Sequence, residues 1–256
     1  ISDMKFEINK NSDLLIAGFY STQNSSNVKG MFYLKVDGES KKVSKLSKEE
    51  FSDDFIVSSF TDRQAKKVKK KADRKEKELE LYKYDIDDLV LSDDGGLVLV
   101  AEQFYWYSRT VTDQNGRTRT TYYYVYNDVL VMKINSSGDI AWLTKVPKHQ
   151  VTANDGGYYS SYAMMVDGDK IHLYYNDHVD NQQRNRSGDM KSFRFGKNGC
   201  ITKATIYADG VVNREVLIGE KMSLFLRPKI NSQLDNSRLL VYFIKGKAKQ
   251  FGVIKH

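Results

Sequence analysis

The sequence predicts an all-β chain built from repeated four-stranded antiparallel meanders, and three observations carry that expectation. Runs that alternate apolar with polar residues, bounded by Asn, Asp and Gly turn signals, recur along most of the chain. The order of two strands, a loop and two further strands repeats four times. The 256 residues include 17 Tyr and 12 Phe but only two Pro, a profile suited to sheets joined by polar turns.

The first unit spans about 4–46. Met4-Lys-Phe-Glu-Ile alternates, Lys10-Asn-Ser-Asp turns the chain, and Leu14-Leu-Ile-Ala-Gly-Phe-Tyr makes a second strand. A polar loop at 24–27 leads to Met31-Phe-Tyr-Leu-Lys-Val, and Asp37-Gly38 turns toward Lys42-Val-Ser-Lys-Leu. A charged insertion follows at about 47–83. Residues 62–81 are rich in helix formers and free of Pro and Gly, with Thr61 or Asp62 placed to cap a helix. Ala65, Val68, Ala72 and Leu79 give that helix only a thin apolar stripe, which predicts a solvated element. Phe51, Phe55, Ile56 and Phe60 are placed to pin the insertion to the sheets.

The second unit, about 84–146, holds a hairpin with a projecting arm at about 103–127. Asn115-Gly116 signals a two-residue type I′ turn. With Gln114 facing Arg117, Val100 meets Val131, Leu99 meets Met132 and Leu97 meets Ile134, bringing two apolar runs into register. The same register puts Tyr105, Tyr107, Tyr122, Tyr124 and Tyr126 on one face of the arm, and Phe104, Trp106, Tyr123 and Val125 on the other. The third unit, about 158–207, reads Tyr162-Ala-Met-Met-Val, Lys170-Ile-His-Leu-Tyr-Tyr, Lys191-Ser-Phe-Arg-Phe and Ile201 to Tyr207. The fourth, about 211–254, reads Arg214-Glu-Val-Leu-Ile, Met222 to Arg227, Leu239 to Ile244 and Gln250-Phe-Gly-Val-Ile. In each unit the longest loop falls between the second and third strands.

Recurring meanders of this kind mark a β-propeller, each meander forming one blade. About four blades are visible, and a chain opening at Ile1 in a strand pattern is expected to be part of a larger propeller, forming a single domain or a fragment of one. A sandwich does not predict the recurring loop position.

Chemistry leaves few marks. Cys200 is the lone cysteine and reads as a buried structural thiol. Of four histidines, His172 alternates within a strand, and Asp177, His178 and Asp180 share a polar loop without the spacing of a metal site. Paired Asp residues such as Asp93-Asp94 and Asp167-Gly-Asp read as turn residues bonding to backbone. No phosphate loop and no G-x-S-x-G occurs, so no catalytic residue, metal or cofactor is assigned. The formal charge of +7 concentrates in the insertion, where Lys66, Lys67, Lys69, Lys70 and Lys71 form a basic cluster. A nucleic-acid role for it predicts steep salt dependence.

The arm offers the main candidate surface: Tyr105, Trp106, Tyr107, Arg109, Tyr122, Tyr123, Tyr124 and Tyr126, residue types enriched in interface cores. Cross-strand aromatic pairs also stabilise a hairpin without any partner, so structural and binding roles both stand. Toward the tip, five Thr with Arg109, Arg117 and Arg119 make a polar, cationic end.

Tyr84-Asp-Ile-Asp-Asp-Leu, Asp94-Gly-Gly-Leu-Val-Leu-Val-Ala-Glu-Gln-Phe-Tyr, the run Thr121-Tyr-Tyr-Tyr-Val-Tyr-Asn-Asp and Gly138-Asp-Ile-Ala-Trp-Leu-Thr-Lys-Val-Pro-Lys resemble propeller-like (WD40-like repeat) envelope proteins of Bacteroidota. The resemblance covers about 51–150. It implies an exported protein of the periplasm or outer membrane surface without an enzyme activity, so it carries no catalytic residues, and it implies that Trp142 packs a blade. The combined expectation is a non-enzymatic scaffold that binds protein partners in the envelope, as a subunit of an outer-membrane-associated complex that supplies its membrane contact. A glycan-binding or glycan-active propeller is the alternative, and polyanion binding by the insertion a weaker one.

Overall fold

A computed structural model describes residues 1–22, 26–193, 198–219 and 224–255. The chain is mostly β, and among the described residues its strands form four antiparallel sheets. It parts into two compact units, the first comprising 1–103, 128–147 and 186–189 and the second comprising 104–127, 148–185 and 190–256.

In the first unit, β1 (Asp3–Ile8), β2 (Leu14–Tyr20), β3 (Gly30–Val36) and β4 (Val43–Glu50) form a meander in sequence order. Alternation assigns the faces. Leu15, Ala17, Phe19, Met31 and Tyr33 turn into the core. On the other face Phe6 pairs with Ile16, Ile16 with Leu34 and Leu34 with Leu46, an apolar row across all four strands. At its ends Phe6 and Leu46 are 64% and 65% exposed.

A second sheet orders β5 (Tyr84–Leu91), β6 (Leu97–Thr112), β7 (Thr118–Ile134) and β8 (Ile140–Val146). From its base, Leu89, Leu97, Leu99, Leu130, Met132 and Ile134 meet the inner face of the first sheet in one core. Polar ties join the same two sheets: Asp3 accepts from the Ile86 N–H at 2.8 Å, and Lys45 pairs with Asp139 at 2.6 Å.

The insertion folds as two helices, α1 (Asp53–Val57) and α2 (Asp62–Lys75). Thr61 caps α2 in a reciprocal box: its hydroxyl accepts from the Gln64 N–H, and Gln64 Oε1 accepts from the Thr61 N–H at 2.9 Å. No residue of α2 is fully buried, yet Ala65, Val68 and Ala72 lie on the core, so the thin stripe suffices to seat the helix. Phe51 and Ile56 are buried and Phe55 and Phe60 pack beside them, pinning the insertion as the sequence predicts.

In the second unit, β9 (Gln150–Ala153) adds to the arm segment of β7. A third sheet orders β10 (Ala163–Asp167), β11 (Lys170–His178), β12 (Gly199–Ile206) and β13 (Val212–Ile218), and a fourth comprises β14 (Leu224–Asp235), β15 (Arg238–Lys245) and β16 (Ala248–Lys255). Ala163, Met165, Tyr174 and Ile201 share a core with Leu226, Leu239 and Val241. The Asn176 side chain stitches β11 to β14, donating to the Leu226 carbonyl at 2.7 Å and accepting from its N–H at 2.9 Å.

These strands differ from the expected units in three places. Of the expected strand at 191–195, the described residues 191–193 do not supply the third strand of the third sheet. Phe193 forms only an isolated bridge to Gln150 and packs its ring on Phe225, while 194–197 lie outside the described residues. The third strand is β12, and β13, expected to open the fourth unit, completes the third sheet instead. Ala208-Asp-Gly is the reason: it makes a hairpin turn, with Tyr207 N–H bonded to the Val211 carbonyl at 2.9 Å, rather than a link between units. Finally, the loop expected at 228–238 shrinks to a turn at 236–237. β14 continues to Asp235 through a register irregularity that holds Pro228, where a residue without an N–H costs no ladder bond. The start of the expected strand Met222 to Arg227 lies outside the described residues, as do part of the 24–27 loop and His256.

Candidate functional site

At the arm tip the turn is not type I′. Asn115 does not have a positive φ, whereas Gly116 does, at 76°. The Gly116 N–H reaches the Asp113 carbonyl at 3.0 Å, and the Asp113 N–H reaches the Arg117 carbonyl at 2.9 Å. This is a three-residue loop in which a type I turn is followed by a left-handed glycine. Asp113 selects it, because its carboxylate accepts from the N–H groups of Asn115 at 2.8 Å and Arg117 at 2.9 Å.

The consequence runs along the whole arm. Asp113 faces Arg117 and Thr110 faces Thr120, with their hydroxyls 2.9 Å apart, so the register is one residue off the expected one. Such a slip exchanges faces. Phe104, Trp106, Tyr122, Tyr124 and Tyr126 share one face, and Tyr105, Tyr107, Tyr123 and Val125 the other. Ring contacts agree: Phe104 lies 4.6 Å from Tyr126, Trp106 lies 6.2 Å from Tyr122, and Tyr107 stacks on Tyr123 at 5.0 Å. At the hairpin base, by contrast, Leu97, Leu99 and Ala101 share a core with Leu130, Met132 and Ile134, the parity of the expected register. One residue of offset is therefore absorbed between base and arm.

The arm is buried at its root and open beyond. Val125 and Tyr126 are buried, while Trp106, Tyr107 and Tyr122 are 58%, 44% and 45% exposed. Tyr105, Tyr123 and Tyr124 are half-buried, and Arg109, Arg117 and Arg119 are exposed. Around the root, Lys229 donates to the Tyr126 hydroxyl at 2.7 Å and sits 4.6 Å from its ring centre, and Lys148 lies 5.8 Å from that ring. Lys148 is fully buried and bonds Gln150 Oε1 at 3.0 Å. Neither lysine was among the residues singled out from sequence, since nothing local marks Lys148 as buried or brings Lys229 to residue 126. The structure thus brings Tyr126 into a packed root and leaves Trp106, Tyr107, Arg109 and Tyr122 facing out.

The basic cluster stands apart as a solvated face. Lys66, Lys67, Lys70 and Lys71 are exposed, and Lys69 is paired with Asp54 at 2.8 Å. Beneath α2 lies an open cleft of about 440 Å³, lined by Phe60, Val68, Ala72 and Leu81 together with Lys71, Lys75, Glu78 and Asp128. In the same unit, Lys145 donates to the Phe55 carbonyl at 2.6 Å, and burial holds its ammonium down to about 8. Burial also raises the Asp177 carboxyl, whose oxygens accept from the His178 N–H and the Asn181 amide. The polar loop expected around these residues begins only after His178, because Asp177 and His178 are paired within β11; Asp180, beyond the strand end, pairs with Lys191, so the two acids turn to different partners. Among the described residues no cluster of His, Cys, Asp or Glu has the arrangement of a metal site. Among the described residues, no helix is long and apolar enough to cross a membrane. Cys200 is buried with its thiol 3.7 Å from the Asp177 carbonyl.

Compared with known proteins, the chain matches no family model and no curated sequence.

Proposed function

We propose that this chain is a non-enzymatic β-propeller scaffold that binds a protein partner through its arm. The observation that carries the reading is the exposure of Trp106, Tyr107 and Tyr122 on an arm that extends beyond what its sheet requires. Exposed aromatic side chains held in rigid cross-strand pairs lose little conformational freedom on binding and dominate interface energetics. Blade-like packing is supported by the consecutive meanders and by the apolar row from Phe6 to Leu46, a face of the kind that a neighbouring sheet covers. On this reading the scaffold works in the periplasm or at the outer membrane as a subunit of a membrane-associated complex, the setting that the resemblance to Bacteroidota envelope proteins suggests.

The test replaces Tyr107–Tyr124 with a two-residue Asn-Gly turn. Native-source proteins crosslinked to the intact chain are identified, and the dominant partner is then titrated against both forms. Loss of binding with unchanged circular dichroism and melting supports the proposal; an unchanged affinity overturns it. A glycan array on the same pair separates the sugar-binding alternative, in which Trp106 and Tyr122 would stack on sugar faces.

A further inference from the structure

The geometry points to a mode of binding for the arm: we infer that its β6 edge, residues 104–112, accepts an extended acidic segment of another protein as an added antiparallel strand. The inference rests on the arm-binding proposal above and names its partner chemistry.

The hydrogen-bond phase of the arm follows from its turn. Asp113 and Arg117 are a bonded pair, since the Asp113 N–H donates to the Arg117 carbonyl. Bonded and non-bonded pairs alternate in an antiparallel ladder. Residues 111, 109, 107 and 105 therefore point their backbone groups into the hairpin. Phe104, Trp106, Ser108, Thr110 and Thr112 point theirs outward. The opposite strand obeys the same phase: Tyr122 directs its N–H outward to Asn154 Oδ1 and its carbonyl outward to the Asn154 N–H, both at 2.9 Å.

That opposite edge is already taken. β9 pairs antiparallel with Tyr123–Tyr126, so this hairpin holds an added strand within its own chain. On the β6 side, β5 stops at Tyr84 opposite Gln103, and among the described residues no strand continues beside 104–112. Long edges are ordinarily blunted by proline, lysine or a bulge. This one has neither Pro nor Lys over nine residues, and it presents Trp106, Tyr107 and Val111 as exposed side chains on alternate faces. Backbone groups offer the ladder, and the aromatic side chains offer grips on both sides of it.

Charge selects the occupant. The arm from 104 to 127 carries Arg109, Arg117 and Arg119 against a single acid, Asp113, whose carboxylate is bonded to its own turn. Pairing with a second copy would bring two cationic arms together, whereas an acidic strand meets complementary charge.

Fluorescence anisotropy with the full chain tests this, using a labelled nine-residue peptide that alternates Glu with Val and Thr, and its Lys counterpart. Ser108→Pro removes an outward N–H but no bond inside the hairpin. Trp106→Ala with Tyr107→Ala removes the grips and keeps the edge. The expected result is preferential binding of the acidic peptide, weakened about tenfold or more by Ser108→Pro and by 0.5 M salt. Ser108→Ala controls for the side chain, and unchanged melting controls for the fold. Equal binding of both peptides, no binding of the acidic one, or indifference to Ser108→Pro overturns strand addition. If in that case the native partner still requires the arm, the arm proposal survives alone. Dimers in sedimentation that Ser108→Pro dissolves would identify a second copy as the occupant and likewise overturn the acidic one.

Discussion

Gly157 is the residue on which the arm's root can be tested most sharply. It has a φ of 72°, and a Cβ built there would lie 2.6 Å from Tyr126 Cε2 and 2.7 Å from its hydroxyl oxygen. The ring has little room to retreat, with the tilted Phe104 ring centred 4.6 Å away and Lys229 bonded to the hydroxyl at 2.7 Å. Gly157→Ala thus carries two costs: about 1–2 kcal/mol for a left-handed L-residue and about 1–3 kcal/mol for overpacking against a pinned ring. Gly156 supplies the control, because its φ is 65° and nothing lies within 4 Å of a Cβ there, so Gly156→Ala carries the backbone cost alone. Urea unfolding should place Gly157→Ala below Gly156→Ala by about 1–3 kcal/mol. In a Trp142→Phe background, Trp106 is the sole tryptophan and reports from the arm itself. Adding Tyr126→Leu should recover the steric part, read as a coupling in a double-mutant cycle. Equal midpoints for the two alanine variants would refute the claim that Gly157 is required for the Tyr126 contact.

Two further outcomes are expected. Thr61→Ala removes the cap that accepts the Gln64 N–H and should cost about 1 kcal/mol with a loss of helical circular dichroism, while Thr61→Ser should retain both. Lys145 makes stability rise with pH: burial lowers its folded pKa to about 8 from 10.5, so between those values the unfolded chain holds a proton that the folded chain has released. The gain is at most on the order of 3 kcal/mol, less what solvent screening removes from a half-exposed side chain. Unfolding midpoints measured from pH 7.5 to 10 should show this slope, and Lys145→Met should flatten it.

Local pattern and tertiary placement divide the chain between them. Legible in the residues alone were the first two meanders, the α2 cap at Thr61, the aromatic anchors of the insertion and the apolar parity of the hairpin base. Each of these depends on neighbours within a few positions or on a two-residue alternation, information that a linear chain carries. Tertiary structure decided the rest. Asn115-Gly116 permits two hairpin turns, and the Asp113 carboxylate, folded onto two backbone N–H groups, selected the one that exchanged the arm's faces. Ala208-Asp-Gly fell between the expected third and fourth units, and only the pairing of β13 with β12 shows that it is a hairpin turn within one sheet. Lys148 and Lys229 meet Tyr126 from 22 and 103 positions away in the chain, and only packing brings such groups together. The same holds for the open edge of β6: its alternation is visible in sequence, but whether a neighbour covers it depends on where β5 ends and where β9 is added.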